Sequence, residues 1–267
     1  MACPPVADGQ MALLGAAVPP TGAPADMIQP TGGRTKAWHR PAARLAAFAT
    51  AKPGVYNRQA MRVAIVHDYL VQGMRGAERV VLEMHECWPD APIHTLLYDK
   101  ARMGGPWSGL DIRPSGLQWF PGALRLYQKL YPLMPLAVES VRLGPCDVVL
   151  SSSSAWAKNV RPPRGALHVC YCYSPARFLW HWSREYVRSL HVSSAAKALV
   201  RASLPPLRAW DRAGTRRVNA FIAISSAVRD RIRRYYGREA LLIYPPVDTE
   251  RFSAAGAQGA AQEYLLV

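Results

Sequence analysis

The chain has 267 residues, half of them apolar, with 33 basic against 18 acidic side chains, a formal net charge of +15 and a pI near 10.0. That length suits one large or two modest domains with a sizeable core, and that charge predicts attraction to polyanions such as nucleic acid, an anionic membrane surface or phosphorylated substrates. The arginines lie scattered among apolar stretches with no zinc finger, RNP motif or basic-region heptad, which argues against nucleic acid, and no apolar run reaches the roughly 18 residues a bilayer span needs.

Residues 1–60 are dominated by Ala, Pro, Gly and Thr without a lasting hydrophobic period, and are expected to be a disordered extension. Met11–Val18 has the length of a signal core but no positive segment before it, so a signal peptide is not expected. Met61 opens the globular part and is itself a candidate translation start. Val63–His67 is a short continuous apolar run, the mark of a strand buried on both faces. Gly73–Gly76 reads as a turn, and Ala77–Cys87 as a helix with Val80, Val81, Met84 and Cys87 on one face. Ile93–Tyr98 and, more weakly, Asp111–Leu117 are further strands. Leu117–Ser140 is aromatic and basic, and Pro121, Pro132 and Pro135 should break it into short helices.

Asp147–Ser151 and Leu167–Tyr173 are again buried strands, and Pro175–Trp210 is helical with a break expected at Pro205-Pro206. Ala220–Ser225 is a strand. The helix after it takes Ser225 or Ser226 as cap, lines one face with Val228, Ile232 and Tyr235, and ends at Gly237. Leu241–Tyr244 is the last strand of the series. Apolar strands alternating with helices predict an α/β domain: a mostly parallel, Rossmann-like sheet with helices on both faces.

In such sheets ligands bind outside the carboxyl ends of the strands. The loop after the first strand carries Gly73, Arg75, Gly76 and Glu78: glycines for close backbone approach, the start of a helix for anion binding, and one full positive charge. The spacing is not that of a dinucleotide fingerprint, and a plain turn is the alternative. Ser151–Ser154 follows the fourth strand with Lys158 and Arg161 close behind; Ser153 and its neighbours either donate to sugar hydroxyls or simply cap the local backbone. Tyr173 and Arg177 reach the same edge after the fifth strand. No nucleophile triad or acidic pair has convincing spacing, so no catalytic residue is assigned. Five cysteines without regular spacing are expected as free thiols in a reducing cytoplasm, Cys170 and Cys172 on one strand face.

Taken together, residues 62–99 with their G-M-R-G-x-E loop and W-P-D-A-P-I turn, Leu133–Ala137, Ser151–Arg161, Leu167–Trp182 and residues 219–252 resemble the N-terminal, acceptor-side domain of family 4 glycosyltransferases of the GT-B fold. The resemblance divides the chain into the extension 1–60, the domain 61–252, and a linker with the start of a second domain over 253–267. It implies retaining transfer of a hexose, mannose among them, from a nucleotide sugar to a lipid-linked or polysaccharide acceptor, without a bound metal or resident cofactor. It also implies a cytoplasmic protein, peripheral at the inner face of the plasma membrane. The strand ending at Cys172 ordinarily closes on a histidine that contacts the transferring sugar, and Tyr173 stands there. The donor-binding half, with its diphosphate-binding Arg/Lys pair, is expected to be missing and the chain inactive without it. Two rivals stand beside this reading: a non-catalytic module for membrane or glycan, and a phosphate-binding Rossmann domain of another class.

Overall fold

The computed structural model describes residues 61–247. The extension expected over 1–60 and the linker over 253–267 lie outside the described residues.

Seven strands form one sheet, all parallel: β1 (Val63–His67), β2 (Ile93–Thr95), β3 (Ile112–Pro114), β4 (Val148–Ser153), β5 (Leu167–Cys172), β6 (Ala220–Ala223) and β7 (Ala240–Leu242), in the order β3-β2-β1-β4-β5-β6-β7. β1 pairs with β4 from Val63↔Val148 to His67↔Ser152, and β4 with β5 from Val148↔Leu167 to Ser153↔Cys172. The expected α/β, Rossmann-like class is therefore the observed one. The outer strands are shorter than their apolar runs suggested: β2 stops at Thr95 and β3 at Pro114, which has no N–H to continue a ladder.

Alternate residues of the strands serve opposite faces. Val63, Ile65, Ile93 and Leu150 pack with Val81 on one face, where Val80 also meets Tyr171 and Ile222. This side is covered by α1 (Gly76–Cys87), followed in the chain by the single turn α2 (Lys100–Met103). Ala64, Val66 and Val149 face the other way, against Met134, Ala137 and Val138. Those three residues belong to α4 (Met134–Glu139), reached through α3 (Ala123–Leu126). Farther along the same face Cys170, Cys172, Phe221 and Ala223 meet Val228, Ile232 and Tyr236 of α7 (Ser226–Tyr236). Pro132 and Pro135 stand in the first turns of short helices and start them, as their missing N–H groups allow. Cys146, Cys170 and Cys172 are free thiols. Among the described residues no helix is long and apolar enough to cross a membrane.

After α5 (Ser183–Ser189) one helix departs from expectation. The break anticipated at Pro205-Pro206 does not occur: α6 (Ser194–Gly214) runs through both prolines for 21 residues. The carbonyls they leave without partners belong to Arg201 and Ala202, and these residues and both prolines are exposed, so water takes the lost bonds.

Three histidines lie in the strands, His67, His94 and His168. Burial lowers the pKa of His94 to about 4 and that of His168 to about 3, below the 6.5 of an open chain. The folded state thus binds fewer protons than the unfolded one between these values, and stability present above pH 6.5 is lost as pH falls. Urea unfolding between pH 6 and pH 4.5 should show up to about 1.4 kcal/mol lost per pH unit from each of these two histidines. His168→Gln should flatten that slope by one proton relative to wild type. Parallel slopes would show that His168 charges as readily folded as unfolded.

Candidate functional site

The strand order reverses between β1 and β4: β2 and β3 extend from one side of β1, while β5, β6 and β7 extend beyond β4. The loops leaving adjacent strands there diverge to opposite faces and open a crevice. The two loops are tied together by one carboxylate. Asp68, directly after β1 and 2% exposed, accepts the amides of Ser154 (2.6 Å) and Ala155 (2.9 Å) and the Ser154 hydroxyl (2.7 Å) on Oδ2. Its Oδ1 accepts the amides of Trp156 (2.8 Å) and Ala157 (2.6 Å). Four consecutive backbone N–H groups thereby converge on a side-chain anion, forming a nest.

Above this junction lies a cleft of about 520 Å³. Its lining combines charged and polar groups, among them His67, Arg75, Glu78 and Arg177, with aromatic rings, those of Tyr69, Tyr127, Tyr131, Trp156, Phe178 and Tyr186. The rings support one another: Tyr69 meets Tyr127 edge-on at 5.4 Å, and Phe178 lies between Trp156 and Tyr186 at 5.3 and 5.6 Å. α1 begins in the lining, with Ala77 and Glu78 in its first turn. Arg75 is its N-cap in extended conformation with no side-chain cap, so the first amides of the helix have no capping acceptor. Gly73, at φ +78°, makes the turn that brings the chain there. Gly73, Arg75, Gln72 and Arg102 also line a shallower recess of about 440 Å³ beside the cleft.

His67 is buried, and desolvation lowers its pKa against the opposing pull of Asp68 and Glu78. Its Nδ1 lies 3.2 Å from the Ser152 carbonyl and 3.0 Å from the Ser152 hydroxyl. A carbonyl only accepts, so Nδ1 carries the hydrogen of the neutral ring. Ser152 in turn reaches the Tyr173 hydroxyl (3.0 Å), which donates to the Ala77 carbonyl (3.2 Å). Glu78 is 7% exposed, and its Oε2 has no partner.

Of the residues singled out from sequence, Arg75, Glu78 and Arg177 line the cleft, Gly73 lines the recess beside it, and Gly76 is the first residue of α1. Four others do not line the cleft. Tyr173 is held by Ser152 and Ala77, and burial pushes its phenol pKa up. Ser153 is buried, its hydroxyl accepting the Lys158 amide at 3.3 Å. Lys158 is 1% exposed, and its ammonium pairs with Asp211, whose carboxylate also takes Trp180 Nε1 (2.8 Å), Tyr236 OH (2.9 Å) and Asn159 Nδ2 (3.2 Å). Arg161 turns outward to Glu139 at 2.5 Å. Burial works against the Glu139 charge, yet hydrogen bonds from Arg217, Arg161 and Trp210 hold its carboxyl below the usual range. The residues that sequence reasoning missed are Asp68, His67 and the aromatic wall. The pairing of His67-Asp68 at a strand end was the one local signal for them.

A Rossmann-like parallel sheet with its cleft at the switch point narrows the class, and comparison with known families decides it: the model of Glycosyltransferase Family 4 matches residues 74–251, most of the chain. The chain belongs to glycosyltransferase family 4. A search of curated proteins finds no match. Membership implies a nucleotide sugar and an acceptor as substrates in general terms, and it sets aside the rival of another Rossmann enzyme class.

Within this family 4 domain the cleft's shape depends on Asp68. Asp68→Ala should remove the acceptor of four backbone amides and lower stability by about 2–4 kcal/mol. Hydrogen exchange at residues 154–157 should accelerate more than at β5. Uniform exchange across both segments would mean that the loop is held by something else.

Proposed function

We propose that this domain forms the acceptor side of a retaining glycosyltransferase, which moves a hexose, mannose foremost, from a nucleotide sugar to a lipid-linked or polysaccharide acceptor. The nucleotide sugar is substrate, not resident cofactor, and its nucleotide is gripped by a second lobe of the kind the family places C-terminal to this one. The observation that carries the reading is the mixed lining of the cleft, cationic and aromatic. Arg75, Arg177 and the uncapped start of α1 suit a phosphate, and the aromatic wall suits the apolar faces of sugar rings or a lipid chain. Glu78 is positioned to accept a hydroxyl of the sugar. Gly73 and Gly76 allow close backbone approach, and Ser153, Lys158, Arg161 and Tyr173 act from behind by holding the loops that carry the cleft.

A retaining transfer between a bound diphosphate and a hydroxyl asks little covalent chemistry of the protein. It asks for alignment of the two reactants and for positive charge where the diphosphate leaves. Arg75 and Arg177 suit the second need, and alignment falls to the cleft together with the second lobe. A lipid-linked acceptor also fits action at the cytoplasmic face of a membrane.

Fused after Val267 to the donor lobe of a family 4 mannosyltransferase, the chain should yield an α-mannosyl product from GDP-mannose and a polyprenyl-diphosphate-linked sugar. Arg75→Ala and Arg177→Ala should each lower kcat/KM by about 10- to 100-fold through loss of a charge-assisted hydrogen bond. Full activity in both variants would refute the role given to these arginines. A β-configured product would refute retention.

A further inference from the structure

The rings that line the cleft could take either sugar rings or a hydrocarbon chain, and two features of the lining separate these occupants. The first is what the lining lacks. Among the described residues no leucine, isoleucine or methionine lines the cleft, and Val71, its one branched aliphatic side chain, is 2% exposed. Aliphatic surface is open elsewhere, at Leu126, Leu136 and Leu199, but none of these lines the cavity. A site for an acyl or polyprenyl chain needs such side chains, because its affinity comes from apolar area removed from water.

The second is what the rings carry at their tips. Trp182, 46% exposed, lines the cleft with Tyr186, their rings 6.3 Å apart and inclined at 50°. The Trp182 indole N–H and the Tyr186 hydroxyl make no hydrogen bond among the described residues, and neither is shut off from solvent. Tyr127, Gln128 and Tyr131, from the segment between β3 and β4, line the same cleft. The Tyr127 hydroxyl accepts the Gln128 side-chain amide at 3.2 Å, and the Tyr131 hydroxyl lies 3.4 Å from Ser203 Oγ. Each ring is thus an apolar face ending in a polar atom. A hydrocarbon chain would strip water from these tips and return no bond, which is a cost at every one. A pyranose lays its C–H face on the ring while its hydroxyls meet the indole N–H, the phenols and the Gln128 amide.

We infer that the aromatic part of the cleft is a saccharide subsite, with Trp182 and Tyr186 as one stacking platform and Tyr127 with Gln128 as a second. The inference rests on the acceptor-side reading above and narrows it. Platforms supplied by two loops, one after β3 and one after β5, engage more than one sugar ring. The acceptor therefore arrives as an oligosaccharide already built, and any lipid attached to it stays outside the cleft. An earlier glycosyl transfer must supply that substrate, so this domain serves chain extension and not the first addition to a lipid.

Saturation-transfer difference NMR on the full chain tests this without any transfer step. With the aromatic protons irradiated, at least one trisaccharide among mannotriose, maltotriose and cellotriose should receive saturation on two or more of its rings. Farnesyl phosphate should not displace it. Trp182→Ala, at an exposed position where folding is spared, should weaken trisaccharide binding by about three- to tenfold. The control Trp119→Ala removes an exposed tryptophan outside the cleft and should stay within about twofold of wild type. Absence of binding by all three trisaccharides would overturn the inference, as would equal losses in the two tryptophan variants or displacement by farnesyl phosphate. Saturation confined to one ring would overturn the claim of chain extension. Trisaccharide binding as described, with no product from the fused enzyme, would leave the subsite standing and refute the transfer reaction; product without trisaccharide binding would do the reverse.

Discussion

The junction on which the site depends is the Asp68 carboxylate and the four amides it gathers. Backbone nests of this kind at the edge of a parallel sheet are ready-made anion sites. Here the anion is the protein's own, delivered from β1 to the loop after β4. Two things follow. The crevice where the strand order reverses cannot close or splay without breaking charge-assisted bonds, and the nest is unavailable to a phosphate from outside. The cations left in the cleft lining are Arg75, where α1 starts, and Arg177.

The same loop is held from behind by a second buried carboxylate. Lys158 and Asn159 both bond Asp211 of α6, so residues 154–159 are fixed between an aspartate in front and an aspartate behind. An ion pair at 1% and 0% exposure is costly to desolvate, and such a pair stabilises only when every lone pair and proton is used. That condition is approached here, with Trp180, Tyr236 and Asn159 completing the carboxylate and the Tyr236 ring lying 5.0 Å from the ammonium. The approach of α6 requires Gly214: a Cβ there would sit 1.8 Å from Asn159 Oδ1. A glycine that sequence alone would assign to a helix end is thus a contact requirement.

The sheet was legible in the sequence because a parallel strand covered on both faces must be apolar at nearly every position, and Val63–His67 and Leu167–Cys172 satisfy that rule locally. The glycine loop was legible for the same local reason. What stayed hidden was set by partners far apart in sequence. Lys158 in a serine-rich loop has the composition of a solvent-exposed cation, and only Asp211, 53 residues on, makes it a core residue. Asp68 finds its donors 86 to 89 residues away. The prolines of α6 misled in the opposite sense. Residue type indicated a break, but the carbonyls they orphan face water, where the loss is small.

Tyr173 shows how these restraints decide what is left for a ligand. Its hydroxyl is the third member of a file in which His67 donates to Ser152, Ser152 to Tyr173, and Tyr173 to the Ala77 carbonyl. Every hydrogen in the file has one direction, because the Ser152 carbonyl fixes the first and the Ala77 carbonyl the last. The file ties the ends of β1, β4 and β5 to the first turn of α1, and it commits the His67 Nδ1 hydrogen and the tyrosine hydroxyl to the fold. Asp68 is committed to its amides. Among the charged groups lining the cleft, Arg75 and Arg177 remain as donors and Glu78 as the acceptor, its Oε2 buried without a partner. A buried carboxylate oxygen without a hydrogen bond is a cost to the empty protein that a bound hydroxyl can remove.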